Sequence, residues 1–214
     1  MNIQVNSDRV FWTSDTHYAH KNMCRGISRW NRDDEEYFRS ATRDFNTLQE
    51  MNDVIVNNIN DTVGEDDILF HSGDWSFGGY DNIIEFRSRI KCKNIHLVLG
   101  NHDESYIQTN YHDVQSMFSS VVDKYMIDLQ FEGKEYIIHM DHYPVTSWYK
   151  LNKGSYMLFG HCHSSIKGPG RTMDIGMDSR KEFKPYHFSE IIQAIGSNPI
   201  VSGFKQDHHN KEFS

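Results

Sequence analysis

Apolar residues in the first half of the chain follow two different spacings in turn. Short apolar runs bounded by polar and turn residues predict strands at residues 9–13, 67–71 and 94–99. Between the first two runs, apolar residues recur at helical spacing from Phe45 to about Val63, and Thr47 and Glu50 form a capping-box signature. A second helical pattern covers residues 81–91. The first half is therefore predicted to alternate strands with helices.

Strand patterns dominate the second half. Residues 126–131 and 135–140 alternate apolar and polar positions on either side of Glu132-Gly133-Lys134, which is typical of a β-hairpin. Residues 156–159 and 172–176 predict two further strands. No internal repeat, low-complexity tract or linker interrupts the sequence, so we predict one domain over residues 1–214. This arrangement favours an α/β sandwich over a pure doubly wound sheet.

Residues 26–42 are charged and aromatic and have no clear apolar face. We interpret this segment as an inserted surface helix or as a lid over a site. A solvated surface without further function is the alternative.

Composition argues against several classes of protein. No apolar run approaches the roughly 20 residues that a membrane span needs, and residues 1–10 lack a signal-peptide pattern. The three cysteines are scattered without a CxxC pair, which argues against a disulfide framework and favours a reducing compartment. The formal net charge of −8 argues mildly against long nucleic acid as a partner. We expect a soluble cytoplasmic protein without a membrane partner, and the sequence predicts no particular oligomeric state.

Four predicted strands end directly in polar clusters. These are Ser14-Asp15-Thr16-His17, Gly73-Asp74, Gly100-Asn101-His102-Asp103 and Gly160-His161-Cys162-His163. Each cluster alone is also compatible with an ordinary turn. Together they offer carboxylate, imidazole and amide groups at strand ends, where α/β sheets place their chemistry, and such a set without thiolate suits Mn, Fe, Zn or Ni. The glycines before Asp74, Asn101 and His161 permit sharp turns that direct these side chains to one point.

The order of these motifs resembles that of the calcineurin-like metallophosphoesterase superfamily. Its DxH, GD, GNHD, lone-His and GHxH blocks correspond to Asp15-Thr16-His17, Gly73-Asp74, Gly100-Asn101-His102-Asp103, His142-Tyr143-Pro144 and Gly160-His161-Cys162-His163. Residues 14–22 are similar to a small single-domain branch, which implies a bacterial protein or a phage protein acting in the host cytoplasm. The resemblance implies an α/β sandwich of two mixed β-sheets flanked by helices, in four layers (αββα). One departure is that Trp75-Ser76-Phe77 follows Asp74 where many members carry a further acidic residue, and we expect it to affect local support or specificity.

The resemblance also implies ligands for two divalent cations, with manganese favoured and iron, zinc or nickel as alternatives. Asp15, His17 and His163 would hold the first cation, Asp74 would bridge the pair, and Asn101, His142 and His161 would hold the second. His139 competes for the role of His142, but the strand-end position and the following Tyr143-Pro144 favour His142.

The chemistry that the resemblance implies is hydrolysis of a phosphate ester. Two cations roughly 3.5–4 Å apart neutralise phosphoryl oxygens and lower the pKa of a bridging water. We expect a bridging hydroxide to attack small phosphodiesters directly, with nucleotide-type substrates favoured. Phosphomonoester hydrolysis on the same core, DNA cleavage and a non-catalytic scaffold are the alternatives.

Several further residues are candidates for contact with a small phosphorylated substrate. The resemblance places His102 over the transferring phosphoryl group, with Asp103 orienting its ring. Candidates for binding phosphate or nucleoside groups are His20, Lys21, Asn22, Arg25 and Arg171. For the first four a solvated loop is the alternative, and for Arg171 it is a structural role.

Overall fold

Two five-stranded β-sheets form the centre of the computed structural model, which describes residues 1–103 and 111–201, and of residue 111 the backbone only. The first sheet has the order β10 (Tyr186–His187), β2 (Val10–Thr13), β3 (Ile68–His71), β4 (Asn94–Val98) and β5 (Ser120–Val122). The second has the order β1 (Asn2–Asn6), β6 (Lys124–Phe131), β7 (Lys134–Asp141), β8 (Tyr156–Phe159) and β9 (Thr172–Asp174).

The described helices are α1 (Glu35–Ala41), α2 (Leu48–Thr62), α3 (Tyr80–Arg89), α4 (Tyr111–Met117) and α5 (Phe188–Ile195). Short 3-10 helices occupy Lys21–Met23, Arg25–Ile27, Leu151–Lys153 and Met177–Ser179. No helix among these residues is both long and apolar enough to cross a membrane.

Both sheets are mixed. Strands β2 to β5 are parallel neighbours, and β10 joins β2 in antiparallel orientation. In the second sheet β6 and β7 are antiparallel, whereas β1 runs parallel to β6 and strands β7 to β9 run parallel to one another. The predicted fold of two mixed β-sheets flanked by helices is confirmed.

The core between the sheets is built from large aromatic and aliphatic side chains. Trp12 on β2 stacks on Phe70 of β3 with ring centroids 5.6 Å apart, and Phe188 of α5 packs against the same indole at 5.1 Å. A second apolar cluster includes Met51 and Ile55 of α2, which are fully buried together with strand residues of the first sheet. Burying each such side chain contributes about 1.5–3 kcal/mol, so the two clusters fix the sheets and helices relative to one another.

Every helix and strand predicted from the sequence pattern is present, and the structure also contains elements that the pattern did not predict. The hairpin turns at Glu132 and Gly133, whose φ values of 48° and 72° suit a two-residue turn with left-handed residues. Thr47 caps α2 by accepting from the Glu50 amide, while the Glu50 carboxylate accepts from Asn46 rather than completing the capping box. The sequence pattern predicted none of β1, β5, β10, α4 and α5.

Candidate metal centre

The predicted ligands follow the carboxyl ends of five strands and meet in one crevice. Asp15 and His17 follow β2, Asp74 follows β3, Asn101 follows β4, His142 follows β7, and His161 and His163 follow β8. Because β2 to β4 are parallel neighbours, as are β7 and β8, each sheet brings its ligands to one edge. The edges are joined where the Ser72 hydroxyl donates to the carbonyl of Asp141 at 2.7 Å.

Asp15, His17 and His163 form the first ligand group. The Nε2 atoms of the two histidines lie 3.3 Å apart, and Asp15 Oδ1 lies 3.9 Å from His17 Nε2. His163 contacts the Asp178 carboxylate through Nδ1 at 2.7 Å. In the neutral ring this contact places the proton on Nδ1, so the Nε2 lone pair faces the group.

Asn101, His142 and His161 form the second ligand group. Asn101 Oδ1 lies 3.0 Å from His142 Nε2 and 2.9 Å from His161 Nδ1. The Ser72 carbonyl can only accept, so its 2.8 Å contact with His142 Nδ1 places the proton there and leaves Nε2 as a ligand atom. The competing His139 instead lies beside Tyr149, at a ring-centroid distance of 6.3 Å.

Asp74 lies between the two groups. Its Oδ2 atom is 3.5 Å from His17 Nε2 and 3.6 Å from His142 Nε2, while Oδ1 accepts from the His102 backbone amide at 3.0 Å. One carboxylate oxygen therefore faces a histidine of each group, which is the position that a bridging ligand needs.

Burial makes the crevice electrostatically unfavourable for the Asp15 carboxylate. Asp15 is fully buried, and this burial raises its pKa to about 8 because the opposing charge of His163 does not offset it. Burial also lowers the pKa of His17 and of His161, so both rings favour the neutral form that binds metals. Divalent cations would supply the missing positive charge, and the oxygen and imidazole donors are those that Mn, Fe, Zn or Ni accept. The residues present therefore fit a pair of such ions.

A buried ion pair that the sequence pattern did not indicate supports the first ligand group. The Arg43 side chain is 1% exposed and donates to both carboxylate oxygens of Asp178 at 2.8 Å. It also donates to the backbone carbonyls of Asp15 at 2.6 Å and Thr16 at 2.7 Å. Burial would raise the pKa of Asp178, but the charge and hydrogen bonds of Arg43 outweigh it and hold this pKa well below its usual value. The arginine thus connects the backbone of the first ligand pair to the carboxylate that holds His163.

The His102 ring lines a cavity beside the first ligand group. Its centroid lies 5.4 Å from that of His17, and one of its nitrogens lies within 4.8 Å of the ligand atoms of His17 and Asp74. The ring is partly exposed and can meet a substrate held at the ligands.

Asp103 makes different contacts from those predicted. Its buried carboxylate accepts from the backbone amides of Asp74 at 2.7 Å, Gly100 at 2.9 Å and Trp75 at 3.0 Å. Among the described residues, these bonds replace the predicted contact that would orient the His102 ring. Burial raises the pKa of Asp103 to about 7, since the three amides only partly offset it. Asp103 therefore fixes the loop that carries Asp74.

Two glycines allow the ligand turns to pack closely, for different reasons. Gly73 has a φ of 94°, in the left-handed region that favours glycine, as the predicted turn requires. A Cβ on Gly160 would lie 2.0 Å from Ser14 Oγ and 2.5 Å from Asp15 Oδ2. Gly160 is therefore required by the close approach of the backbone after β8 to the residues after β2.

The cavity beside the first ligand group has a volume of about 600 Å³. Two of the predicted substrate residues, His20 and Asn22, line it together with His17, His102 and His163. Residues 26–42 contribute Trp30, Tyr37, Ser40, Ala41 and Thr42 to its wall. This segment includes α1, and its interpretation as a lid stays a prediction.

The remaining substrate candidates lie elsewhere. Lys21 borders a neighbouring cavity. The Arg25 guanidinium pairs with Asp44 and donates to the backbone carbonyls of Arg39 and Thr42, so its contacts are structural. Arg171 donates to the Gly154 carbonyl at 2.9 Å and lies over the Tyr156 ring. Arg171 precedes β9, whereas the ligands follow their strands, so it lies at the opposite end of the second sheet.

Comparison with known proteins gives one family match and two similar proteins. The model of the calcineurin-like phosphoesterase family matches residues 8–165, a range that includes every proposed ligand. The uncharacterized protein MJ1445 of Methanocaldococcus jannaschii is 23% identical over 200 residues, which cover 90% of this chain and 94% of that protein. A crystal structure of the protein of unknown function AQ665 from Aquifex aeolicus has a similar fold, with a TM-score of 0.56 and 20% identity over 87% of this chain and 98% of that one.

Proposed function

The chain belongs to the calcineurin-like phosphoesterase family, and on that premise we propose that it is a phosphodiesterase with a two-cation centre acting on small, nucleotide-type diesters. Metal-dependent hydrolysis of phosphate esters is the activity that the family implies. The observation that supports the two-cation centre most directly is the position of Asp74 Oδ2, within 3.6 Å of one histidine from each ligand group. Manganese is the proposed cation, with iron, zinc or nickel as alternatives.

The charge of the cavity supports a diester rather than a monoester substrate. A diester carries one negative charge at neutral pH, whereas a monoester approaches two because its second pKa lies near 6. Among the described residues that line the cavity there is no lysine or arginine, and the Asp178 carboxylate is already paired with Arg43 behind the wall. The second charge of a monoester would therefore find no cationic side chain in this cavity.

The residues of the chain have separable roles in the proposed reaction. A pair of divalent cations held by the proposed ligands would neutralise phosphoryl oxygens and lower the pKa of a bound water. Asp74 lies between the two ligand groups, and the neutral rings that burial favours for His17 and His161 add no charge to the centre, so bound cations would leave it the net positive charge that attracts an anionic ester. The His102 ring faces the cavity, where it can donate a proton to the leaving oxygen.

Rates on two chromogenic esters, together with metal analysis, test this function. With Mn²⁺ we expect a higher kcat/KM on bis(p-nitrophenyl) phosphate than on p-nitrophenyl phosphate, and chelation should abolish both activities. His102→Ala should keep both cations and lose turnover by roughly 10²–10⁴-fold, the usual contribution of general acid catalysis. Asp74→Asn should instead lower the occupancy of both cation positions. A higher kcat/KM on the monoester would overturn the diester preference, and a normal rate in His102→Ala would overturn the role of that ring.

A further inference from the structure

Aromatic rings continue without a break from the metal ligands to the rim of the cavity. The rings of His20 and Phe77 have centroids 3.9 Å apart, and Phe77 lies 5.2 Å from His102. At the outer end, Trp30 lies 5.8 Å from His20. His20 is itself 5.5 Å from the proposed ligand His17, so the inner end of this series meets the centre. We call Trp30, Phe77 and His20 the aromatic wall.

The two large apolar rings of the aromatic wall, Trp30 and Phe77, are not buried in the hydrophobic core. Trp30 is 36% exposed and Phe77 is 37% exposed, although both face a cavity of about 600 Å³. Burial of large apolar rings would stabilise the protein, so rings that stay exposed to water need an explanation. Exposed clusters of such rings commonly mark binding sites. The cavity volume lies within the range of pockets that enclose small ligands.

We propose that the aromatic wall is the subsite for the base of a nucleotide substrate, with Trp30 and Phe77 as its stacking surfaces. This inference rests on the proposed function, because it places the reacting phosphoryl group at the metal ligands and the base on the adjacent rings. Proteins commonly hold bases by stacking them on aromatic side chains, since every base has a π-face. Trp30, which comes from residues 26–42, is then a specificity-determining residue.

The polar groups of the cavity set the size and charge of the substrate. The Asn22 side-chain carbonyl accepts from the Arg29 amide at 3.1 Å, so in the described part of the chain its NH₂ group is left to donate to the edge of a base. The described lining of this cavity holds no lysine or arginine for phosphates beyond the reacting one, and Lys21 and Arg29 instead border the neighbouring cavity that shares His20, Asn22 and Phe77. Long nucleic-acid strands need such cationic side chains along the backbone. A diester with one nucleoside therefore fits better than an oligonucleotide.

Binding of AMP and methyl phosphate to the Mn²⁺-loaded protein tests the subsite without requiring turnover. Both ligands carry a phosphate monoester, but only AMP carries a base. By titration calorimetry, Trp30→Ala should weaken AMP binding by roughly 5- to 150-fold, the range for loss of one stacking side chain, and leave methyl phosphate within two-fold. Trp30→Phe should retain most of the AMP affinity, and Tyr149→Ala, an exposed aromatic after β7, should change neither.

Each contrary result has a distinct meaning. Equal weakening of both ligands in Trp30→Ala would overturn the subsite, as would wild-type protein that binds AMP no more tightly than methyl phosphate. Phenyl phosphate binding as tightly as AMP would overturn the assignment to a base. Selective AMP binding without hydrolysis of bis(p-nitrophenyl) phosphate would instead support the subsite and overturn the phosphodiesterase proposal.

Discussion

Replacing Arg43 by methionine removes the buried charge that connects three parts of the proposed centre. In Arg43→Met the Asp178 carboxylate loses its counter-charge, and the backbone carbonyls of Asp15 and Thr16 each lose a donor. Removing one partner of a buried ion pair costs about 3–5 kcal/mol. Asp178 keeps 18% side-chain exposure, so water can partly compensate, and we expect a loss near the lower limit, about 3 kcal/mol. For a chain of this length that loss corresponds to a Tm lower by roughly 6–12 °C.

Urea unfolding of EDTA-treated protein measures this loss without a contribution from bound cations. Arg39→Ala is the matched control, because Arg39 pairs with Glu35 on the surface at exposures of 61% and 74%. Such exposed pairs contribute about 0–1 kcal/mol. Arg43→Met should also lower the affinity of the first ligand group for Mn²⁺ by about 10- to 100-fold, as loss of outer-shell partners typically does. The rise in Tm on adding Mn²⁺ reports that affinity.

A loss of unfolding free energy no larger than that of Arg39→Ala would refute this reasoning. It would mean that water replaces the arginine at little cost and that the observed contacts do not hold the centre. Full Mn²⁺ affinity in Arg43→Met would separately refute the idea that Asp178 needs the arginine in order to position His163.

Three other substitutions test the backbone and electrostatics of the centre. The pKa of Asp15 is raised from 3.8 to about 8, so the folded state favours its proton, and the contribution of Asp15 to the unfolding free energy of the EDTA-treated protein should fall as pH rises from about 4 to about 8. Asp15→Asn should reduce that slope in urea titrations, and an unchanged slope would contradict the assignment. Gly160→Ala places a methyl group 2.0 Å from Ser14 Oγ, so it should lower the unfolding free energy by about 1–3 kcal/mol and weaken Mn²⁺ binding. A wild-type Tm in thermal unfolding would contradict the close approach of these two segments. Asp103→Asn turns an NH₂ group toward backbone donors, so it should lower the unfolding free energy by about 1–3 kcal/mol and reduce the metal content of the protein. If Asp103 only oriented His102, the metal content would stay unchanged.

The ligands could be predicted from the sequence because strand and ligand are encoded side by side. Each proposed ligand lies within four residues of the end of an observed strand, as His163 does after β8 ends at Phe159. Parallel pairing then brings the strand ends together without any further information in the ligands themselves. The convergence of these residues was therefore accessible from local patterns, whereas their assignment as metal ligands rests on the resemblance in motif order and stays a prediction.

The residues that support the ligands carry no such local pattern. Arg43 lies in the segment between α1 and α2, and in sequence it resembles any surface arginine; only tertiary packing buries it. Strand β1 reads as polar, with Val5 buried, because pairing to β6 rather than apolar alternation makes it a strand. Helix α5 does have a capping box, but its N-cap is His187 instead of the usual Ser, Thr, Asp or Asn, so the sequence signature does not indicate it.

The backbone of the centre explains why these supporting residues act on the ligands and on the fold together. Five proposed ligands lie in the left-handed region, with φ between 45° and 67°: Asp15, His17, Asp74, His161 and His163. Such conformations are unfavourable for residues other than glycine and persist only where surrounding contacts enforce them. Here buried side chains bind the strained segments directly: Arg43 binds the Asp15 and Thr16 carbonyls, Asp103 binds the Asp74 and Trp75 amides, and the Asp15 carboxylate accepts from the His161 amide at 3.0 Å. Because a ligand of the first group thereby holds a ligand of the second, the fold sets the geometry of both groups before a cation binds. Cation affinity and unfolding free energy consequently depend on the same few buried contacts, and substitutions at Arg43 or Asp103 should change both at once.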